Sequence, residues 1–475
     1  MREGLYAIVG GAGVGADAES YRIGDASPCA VIAPESEAEV CALMEYAHGA
    51  RFPCIVAGGG THLTALAPPA EAWWLLSTRR LNRVIDYSPQ DLVLTVGAGI
   101  TLQAVQELLR EQNQYLPWNP ALPTEATIGG IVASNRAGSW RYRYGTPRDR
   151  LLALRAVRPD GIAFKSGAKV VKSVAGYDLH RLLCGAWGAL AVITEITLKV
   201  QPLPLQFDAV GWFTTWQELE PTLADLMRMP IQPDGISVLA LRNPPLQGPS
   251  GLRTVSQAEW TGSDLYAPQV TNAYPIPFSL HKTRLSPCRV YGAVSTLETP
   301  SLTTPLPQLQ PLTESQSPMP YVVLEFSGRP EGVAWQIQHL REQGYPAEPV
   351  SEAQLKQLRD WLAPRAHTML VQLLMRPNEI AEAMARWTEI QGVSALAHAG
   401  NGVLYIACDE TPLNDALIQR LRTPNIKYRV LSGATQLRQQ TNHELPRPWL
   451  NTEEQTLMRA LKHALDPKTL LPNLF

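Results

Sequence analysis

The sequence predicts an α+β protein of more than one unit, and three features carry that reading. Short β-branched runs alternate with amphipathic helical stretches as far as residue 204; two stretches dense in glycine and other small residues interrupt them; and the alternation resumes beyond residue 320. With 475 residues, 45% of them hydrophobic, the chain has enough apolar surface for two or three cores.

At the N-terminus, Ala7, Ile8 and Val9 lead into Gly10, Gly11, Gly13 and Gly15, a spacing close to a dinucleotide fingerprint with Ala16 in place of its last glycine. Residues 17–25 show no apolar stripe, so the helix that would receive a pyrophosphate is missing and no Rossmann site is expected there. Residues 29–33 suit a short strand. Ser36 with Glu39 three positions later forms a capping box for a helix whose stripe is Val40, Leu43, Met44 and Ala47. Pro53 opens a strand that delivers the first small-residue stretch, Ala57, Gly58, Gly59, Gly60, Thr61, His62 and Leu63. Successive glycines present no side chain to block a ligand and accept positive φ, so several N–H groups can converge on one anion; an ordinary strand-ending turn has the same composition.

Strands are expected at 74–76, 84–87 and 92–96, the last ended by Gly97 and Gly99, and Thr101 is placed to cap a helix carrying Leu102, Val105, Leu108 and Leu109. The second small-residue stretch runs from Pro120 to Gly138. Its Pro123, Thr127, Gly129, Gly130, Ala133, Ser134, Asn135 and Gly138 imply that something large passes close to the backbone, either another element or a ligand. Pro159, Asp160 and Gly161 mark a hairpin turn between strands at 152–157 and 162–164. A segment at 171–183 with Lys172, Gly176, Tyr177 and Asp178 follows, then a strand through Ile193 to Val200, and Pro202 and Pro204 close the unit.

In the second half, strands at 207–213, 236–241, 321–326, 369–374 and 403–408 alternate with helices at 216–227, 333–343 and 380–390. This pattern suits a ferredoxin-like cap. Residues 246–319 are rich in Pro, Ser, Thr and Gln and read as an inserted loop, with a docking segment as the alternative.

Lys plus Arg at 41 nearly balances Asp plus Glu at 43, so no net field favours nucleic acid or an anionic membrane. The six cysteines are scattered without a C-x-x-C pair, which suits free thiols in a reducing compartment and gives no iron–sulfur or zinc spacing within the chain. No secretory signal or bilayer-length apolar run is present, and the expectation is a cytoplasmic protein without a transmembrane segment.

Five motifs, taken in order, carry a resemblance. The loop from Ala57 to Leu63, the block from Ala126 to Asn135, the hairpin at Asp160 and Gly161, the run V-K-S-V-A-G-Y-D-L at 171–179 and the segment from Gly188 to Glu195 resemble the flavin-binding domain shared by vanillyl-alcohol oxidase and p-cresol methylhydroxylase. Within that family the chain is similar to the FAD-binding subunit of bacterial glycolate oxidase. The resemblance implies a two-subdomain FAD-binding fold over residues 1–204. It further implies a cap built from 205–245 and 320–440, the insertion at 246–319, and a C-terminal segment, 441–475, returning to the flavin domain. It implies FAD with its pyrophosphate on the residues just named in both stretches, Pro123, Thr127, Gly129, Gly130, Ala133, Ser134, Asn135 and Gly138 among them, and Ile193 against the flavin. Noncovalent FAD is expected; covalent attachment through His62 is the alternative.

The resemblance also implies flavin-mediated electron transfer in a complex oxidising a small 2-hydroxy acid. The expected partners are a catalytic flavoprotein subunit and an iron–sulfur subunit, through which the chain sits against the inner face of the membrane. A self-sufficient glycolate or D-lactate dehydrogenase and a scaffold without flavin are the alternatives. Lys172, Tyr177 and His398 are the candidates for catalytic groups. Departures from the family pattern include Ser173 and the run Gly185, Ala186, Trp187, Gly188, Ala189, Leu190, Ala191, which lacks the family's hydroxyls. In 2-hydroxy acid-oxidising relatives the segment around His398 reads H-x-G-D-G-N-L-H and binds a divalent metal. Here Asn401 and Tyr405 replace the acid and the second histidine, so no metal site is expected.

Overall fold

A computed structural model of the chain describes residues 2–15, 21–23, 26–66, 68–69, 71–169, 177–241, 318–364, 369–409, 415–423, 426–433, 437 and 452–472. The insertion read at 246–319, apart from its last two residues, and the motif residues 171–176, Lys172 among them, lie outside these.

The first sheet has the order Val14–Gly15, Ala30–Ile32, Trp74–Ser77, Cys54–Ala57, with its three longer strands parallel. The crossover helix Glu37–Ala50 is capped as expected by Ser36 Oγ, which accepts from Glu39 N, but Glu39 Oε2 accepts from Glu35 N, one residue before the N-cap, so the reciprocal half of the expected box is not formed. Its buried side chains include Val40, Leu43, Met44 and Ala47, the stripe read from the sequence. The N-terminal glycine cluster follows a helix, Arg2–Val9, so the strand, turn and helix of a dinucleotide fingerprint are absent among the described residues there.

The second sheet is antiparallel throughout, in the order Val84–Ser88, Val93–Gly97, Val192–Lys199, Leu151–Val157, Ala163–Gly167. Helices Leu102–Arg110 and Ile128–Ser134 cover one face, burying Leu102, Val105, Leu109, Ile128, Ile131 and Val132 on Leu94, Val96, Leu154 and Ile196. Thr101 caps the first of these helices by accepting from Ala104 N.

The third sheet has eight antiparallel strands, in the order Glu348–Pro349, Gln206–Phe213, Tyr321–Gly328, Gly235–Ala240, Val393–His398, Val403–Cys408, Met369–Leu374, Lys427–Ser432. Read along the chain, each half is a β-α-β-β-α-β unit. Helices Trp216–Arg228 and Pro330–Glu342 serve the first half, and Ile380–Thr388 and Asp415–Leu421 the second. The halves have mirrored strand orders and meet where Gly235–Ala240 pairs with Val393–His398. The cap is thus two ferredoxin-like units fused edge to edge, where sequence reading expects one. Alternate residues separate its faces. Val210, Val238, Leu324, Val371 and Ile406 pack under the helices, whereas Ala209, Leu239, Val323, Leu370, Leu396 and Tyr405 join a core with Leu63, Leu66, Trp73 and Trp187 of the first units.

The C-terminal helix Thr452–Leu465 returns to the first units. Lys462 Nζ, buried, donates to Ala189 O, Leu471 O and Asp466 Oδ2, and Cys54 N donates to Leu470 O.

Candidate functional site

A cleft lies between the first two sheets, lined by residues 56–63, by parts of 126–136 and by Trp187, Gly188, Ala191 and Ile193. Its first wall is the loop after strand Cys54–Ala57. A Cβ on Gly58 would stand 1.9 Å from Thr127 Oγ1, and one on Gly59 only 1.8 Å from the Glu125 carbonyl oxygen. These glycines are therefore fixed by the second small-residue stretch, which lies directly against the loop. Arg79 donates to the carbonyl oxygens of Gly58 and Gly59. The N–H groups of Gly59, Gly60, Thr61 and His62 meet no acceptor among the described residues. Four consecutive N–H groups in a loop that lines the cleft are thus left free to meet a ligand acceptor.

The second wall is the helix Ile128–Ser134. Thr127 Oγ1 caps it by accepting from Gly130 N, while Gly129 N and Ile128 N donate to Ala98 O and Ile100 O. The first N–H groups of this helix are thus already used. It supplies a wall of small side chains, and the free donors come from residues 59–62. Ser134 Oγ turns back to Gly130 O. The floor is Ala98, Trp187, Gly188, Ala191 and Ile193.

Of the residues singled out in the sequence, Ala57, Gly58, Gly59, Gly60, Thr61, His62, Leu63, Thr127, Gly129, Gly130, Ala133, Ser134 and Ile193 line this cleft. Pro123, Asn135 and Gly138 do not. Asn135 is the left-handed C-cap of the helix, its Oδ1 accepting from Arg148 N and Cys184 Sγ, and a Cβ on Gly138 would strike Asn119 Oδ1 at 2.2 Å. Pro123 O accepts from Gln103 N. These three are small or special because other protein atoms approach them. Tyr177 is 91% exposed and does not line the cleft.

Where the cleft meets the cap, a cluster forms that the sequence did not reveal. The Arg136 guanidinium stands over the Tyr405 ring, 5.4 Å from its centroid, and Arg429 over Trp187 at 4.7 Å. Trp187 meets His62 edge-on at 5.8 Å, and Tyr405 meets His398 edge-on at 5.4 Å. Gln372 Nε2 donates to the Tyr405 hydroxyl, and Ser237 Oγ lies 3.3 Å from His398 Nδ1. His398 Nε2, Arg136 Nη1 and Trp187 Nε1 are buried without a hydrogen-bond partner among the described residues. Burial, helped by the positive charge of Arg136, holds His62 well below the usual histidine range. Burial, with Arg136 and Arg141, brings His398 down to about 3, and burial with Arg136 brings Arg429 down to about 10.

The stretch after the second wall clamps the cap in place. Ser139 Oγ and Trp140 Nε1 donate to the buried Glu325 carboxylate at 2.5 and 2.8 Å, and Arg143 pairs with Asp234 at 2.7 Å. Gly400 lies against the Tyr142 ring, where a Cβ would come within 2.4 Å, and Asn401 Nδ2 donates to Ser139 O. The turn at 398–402 is therefore a docking element. Among the described residues no group of three or more His, Cys, Asp and Glu side chains is placed to hold a metal.

Residues 28–167 match the family described as an FAD binding domain. The chain is 36% identical over 172 residues to a D-lactate dehydrogenase of Archaeoglobus fulgidus, covering 36% of this chain and 38% of that protein. It is 35% identical over 162 residues to glycolate oxidase subunit GlcE of Escherichia coli, covering 34% and 46%. It is 31% identical over 177 residues to glycolate oxidase subunit GlcD of Bacillus subtilis, covering 37% and 38%. The chain thus matches less than half the length of these curated relatives. Among solved structures, p-cresol methylhydroxylase is similar at a TM-score of 0.64 with 13% identity, over 99% of this chain and 96% of that one. An alkyldihydroxyacetonephosphate synthase is similar at 0.63 with 17% identity, over 99% and 84%. The fold around the FAD-binding domain is that of p-cresol methylhydroxylase. No described helix is long and apolar enough to cross a membrane.

Proposed function

We propose that the cleft of the FAD-binding domain holds FAD noncovalently and that the chain is the FAD-binding subunit of an assembly oxidising a small 2-hydroxy acid. The observation that carries the cofactor reading is the row of four acceptor-free N–H groups at residues 59–62 facing a wall of small side chains. Such a row suits a pyrophosphate, and the small residues of the facing helix suit the passage of a flat ring. FAD, when bound, supplies a two-electron acceptor. The chain's own contribution is to grip the pyrophosphate at residues 59–62, seat the ring between Ile193 and the cap, and shield it with the sheet face that carries Leu396 and Tyr405. The assembly reading is supported by the two glycolate oxidase subunits among the relatives. Its partners would be a catalytic flavoprotein and an iron–sulfur subunit.

A second reading, a self-sufficient dehydrogenase, is favoured by His398. A neutral imidazole whose Nε2 is unpartnered among the described residues lies at the cap face, where it can hydrogen-bond a substrate hydroxyl. An absorption spectrum of the purified protein tests the cofactor. Yellow colour that passes wholly into the supernatant on acid denaturation supports noncovalent FAD, and a colourless protein that takes up no added FAD refutes it. Anaerobic addition of glycolate or D-lactate then separates the readings. Bleaching in the isolated chain supports the dehydrogenase, and bleaching only with partner subunits present supports the assembly.

A further inference from the structure

The cluster around Arg136 points beyond the cofactor. Arg136 is the one charged residue in 126–138, lines the cleft, and leaves Nη1 buried without an acceptor among the described residues. It makes no ion pair with a carboxylate among the described residues. A buried guanidinium nitrogen left unpaired is costly unless a ligand pairs it. The groups that feel its charge are His62, His398 and Arg429, and in each it disfavours the charged form, so the local potential is positive.

The neutral groups beside it are poised as donors. Tyr405 already accepts from Gln372, which leaves its own O–H proton available, and His398 Nε2 lacks a partner among the described residues. The acid that would complete a metal site in the H-A-G-N-G turn is replaced by Asn401, whose amide is spent on Ser139 O.

We propose that this cluster is a metal-free binding site for a small carboxylate, in which Arg136 is the cation that seats the carboxylate and Tyr405 and His398 supply neutral hydrogen bonds around it. The proposal deepens the reading of the cleft as a flavin site. It assigns to a guanidinium the work that a divalent metal does in the relatives the sequence resembles. A carboxylate bound there relieves the uncompensated charge and pairs the orphaned Nη1 in one step.

Oxalate is the probe, because it carries carboxylates and no hydroxyl to be oxidised. Its affinity is measured by isothermal titration and by perturbation of the flavin absorbance in the FAD-loaded full chain, for wild type, Arg136→Gln and Arg136→Lys, with and without EDTA. The expected result is binding unaffected by EDTA, weakened about 10- to 100-fold in Arg136→Gln and partly restored in Arg136→Lys, with FAD affinity changed less than threefold in both. Equal oxalate affinity in wild type and Arg136→Gln overturns the proposal. So does binding that EDTA abolishes and Zn²⁺ restores, or a loss of FAD in place of oxalate, which would make Arg136 a cofactor anchor. If the wild-type chain takes up no FAD, titration and thermal shift with oxalate still read the carboxylate site, so failure of the flavin reading is told apart from failure of this one.

Discussion

His398 is 6% exposed and lies among arginines, and its pKa near 3 makes a definite statement about stability. Its pKa when folded lies below the ordinary histidine value near 6.5. Between those values the unfolded chain binds more protons, so stability rises with pH across that window and is lost as the pH falls through it. At pH 5 protonation favours the unfolded chain by RT ln(1 + 10^1.5), about 2 kcal/mol, whereas at pH 7.5 the effect is close to zero. The figure hardly depends on the folded value so long as that lies below about 4. The perturbation is His398→Asn, which removes the titrating ring and keeps a polar group beside Ser237. Urea unfolding of the apoprotein, followed by tryptophan fluorescence and circular dichroism at pH 7.5 and pH 5, is run on both proteins. His62 and His180, also lowered mainly by burial, add acid sensitivity of the same sign to both and cancel in the comparison. Wild type is expected to lose about 2 kcal/mol more than the variant on going to pH 5. Losses equal within about 0.5 kcal/mol would refute a neutral, buried His398.

Three further outcomes follow from the packing. Gly59→Ala forces its Cβ onto the Glu125 carbonyl and must push the two cleft walls apart, at about 1–3 kcal/mol, so FAD retained per chain after gel filtration should fall at least about tenfold. Thr127→Val removes the cap from Gly130 N and should cost about 1 kcal/mol in urea unfolding, while Thr127→Ser stays within about half of that. Lys462→Met leaves the Asp466 carboxylate buried at 1% exposure without its cation and should cost about 3–5 kcal/mol, and the double variant Lys462→Met/Asp466→Leu should be less destabilised than the single one.

What was legible in the sequence was local. Ser36, Thr101, and the apolar runs at 92–96 and 403–408 fix their own elements through neighbours only a few residues away, and the structure has them within a residue of where the pattern puts them. Small residues were legible as a demand for closeness, but the partner was not. Gly138 and Asn135 have the composition of a ligand cradle, and it is Asn119, Arg148 and Cys184 that meet them. Arg136, Trp187, Gln372, Glu325 and Arg429 were missed as site or anchoring residues because their meaning arises from contacts across hundreds of positions, as between Ser139 and Glu325. One signal was available for Arg136: it is the one charged residue in 126–138.

The same distinction decides what the turn around His398 is for. Its glycines and histidine keep the outline of a metal-binding segment, yet each position now has a use that needs no metal. Gly400 admits the Tyr142 ring, Asn401 ties the turn to the Ser139 carbonyl, and Tyr405 stacks under Arg136. Tyr142 and Ser139 belong to the stretch that also grips Glu325 and Asp234, so the contacts that dock the cap are continuous with those that place Tyr405 and His398 beside Arg136. Moving the cap relative to the FAD-binding domain would separate Arg136, on one side, from Tyr405 and His398, on the other. The cation of this site thus comes from across the interface: the charge beside Tyr405 and His398 depends on docking, and Gly400 serves the docking itself.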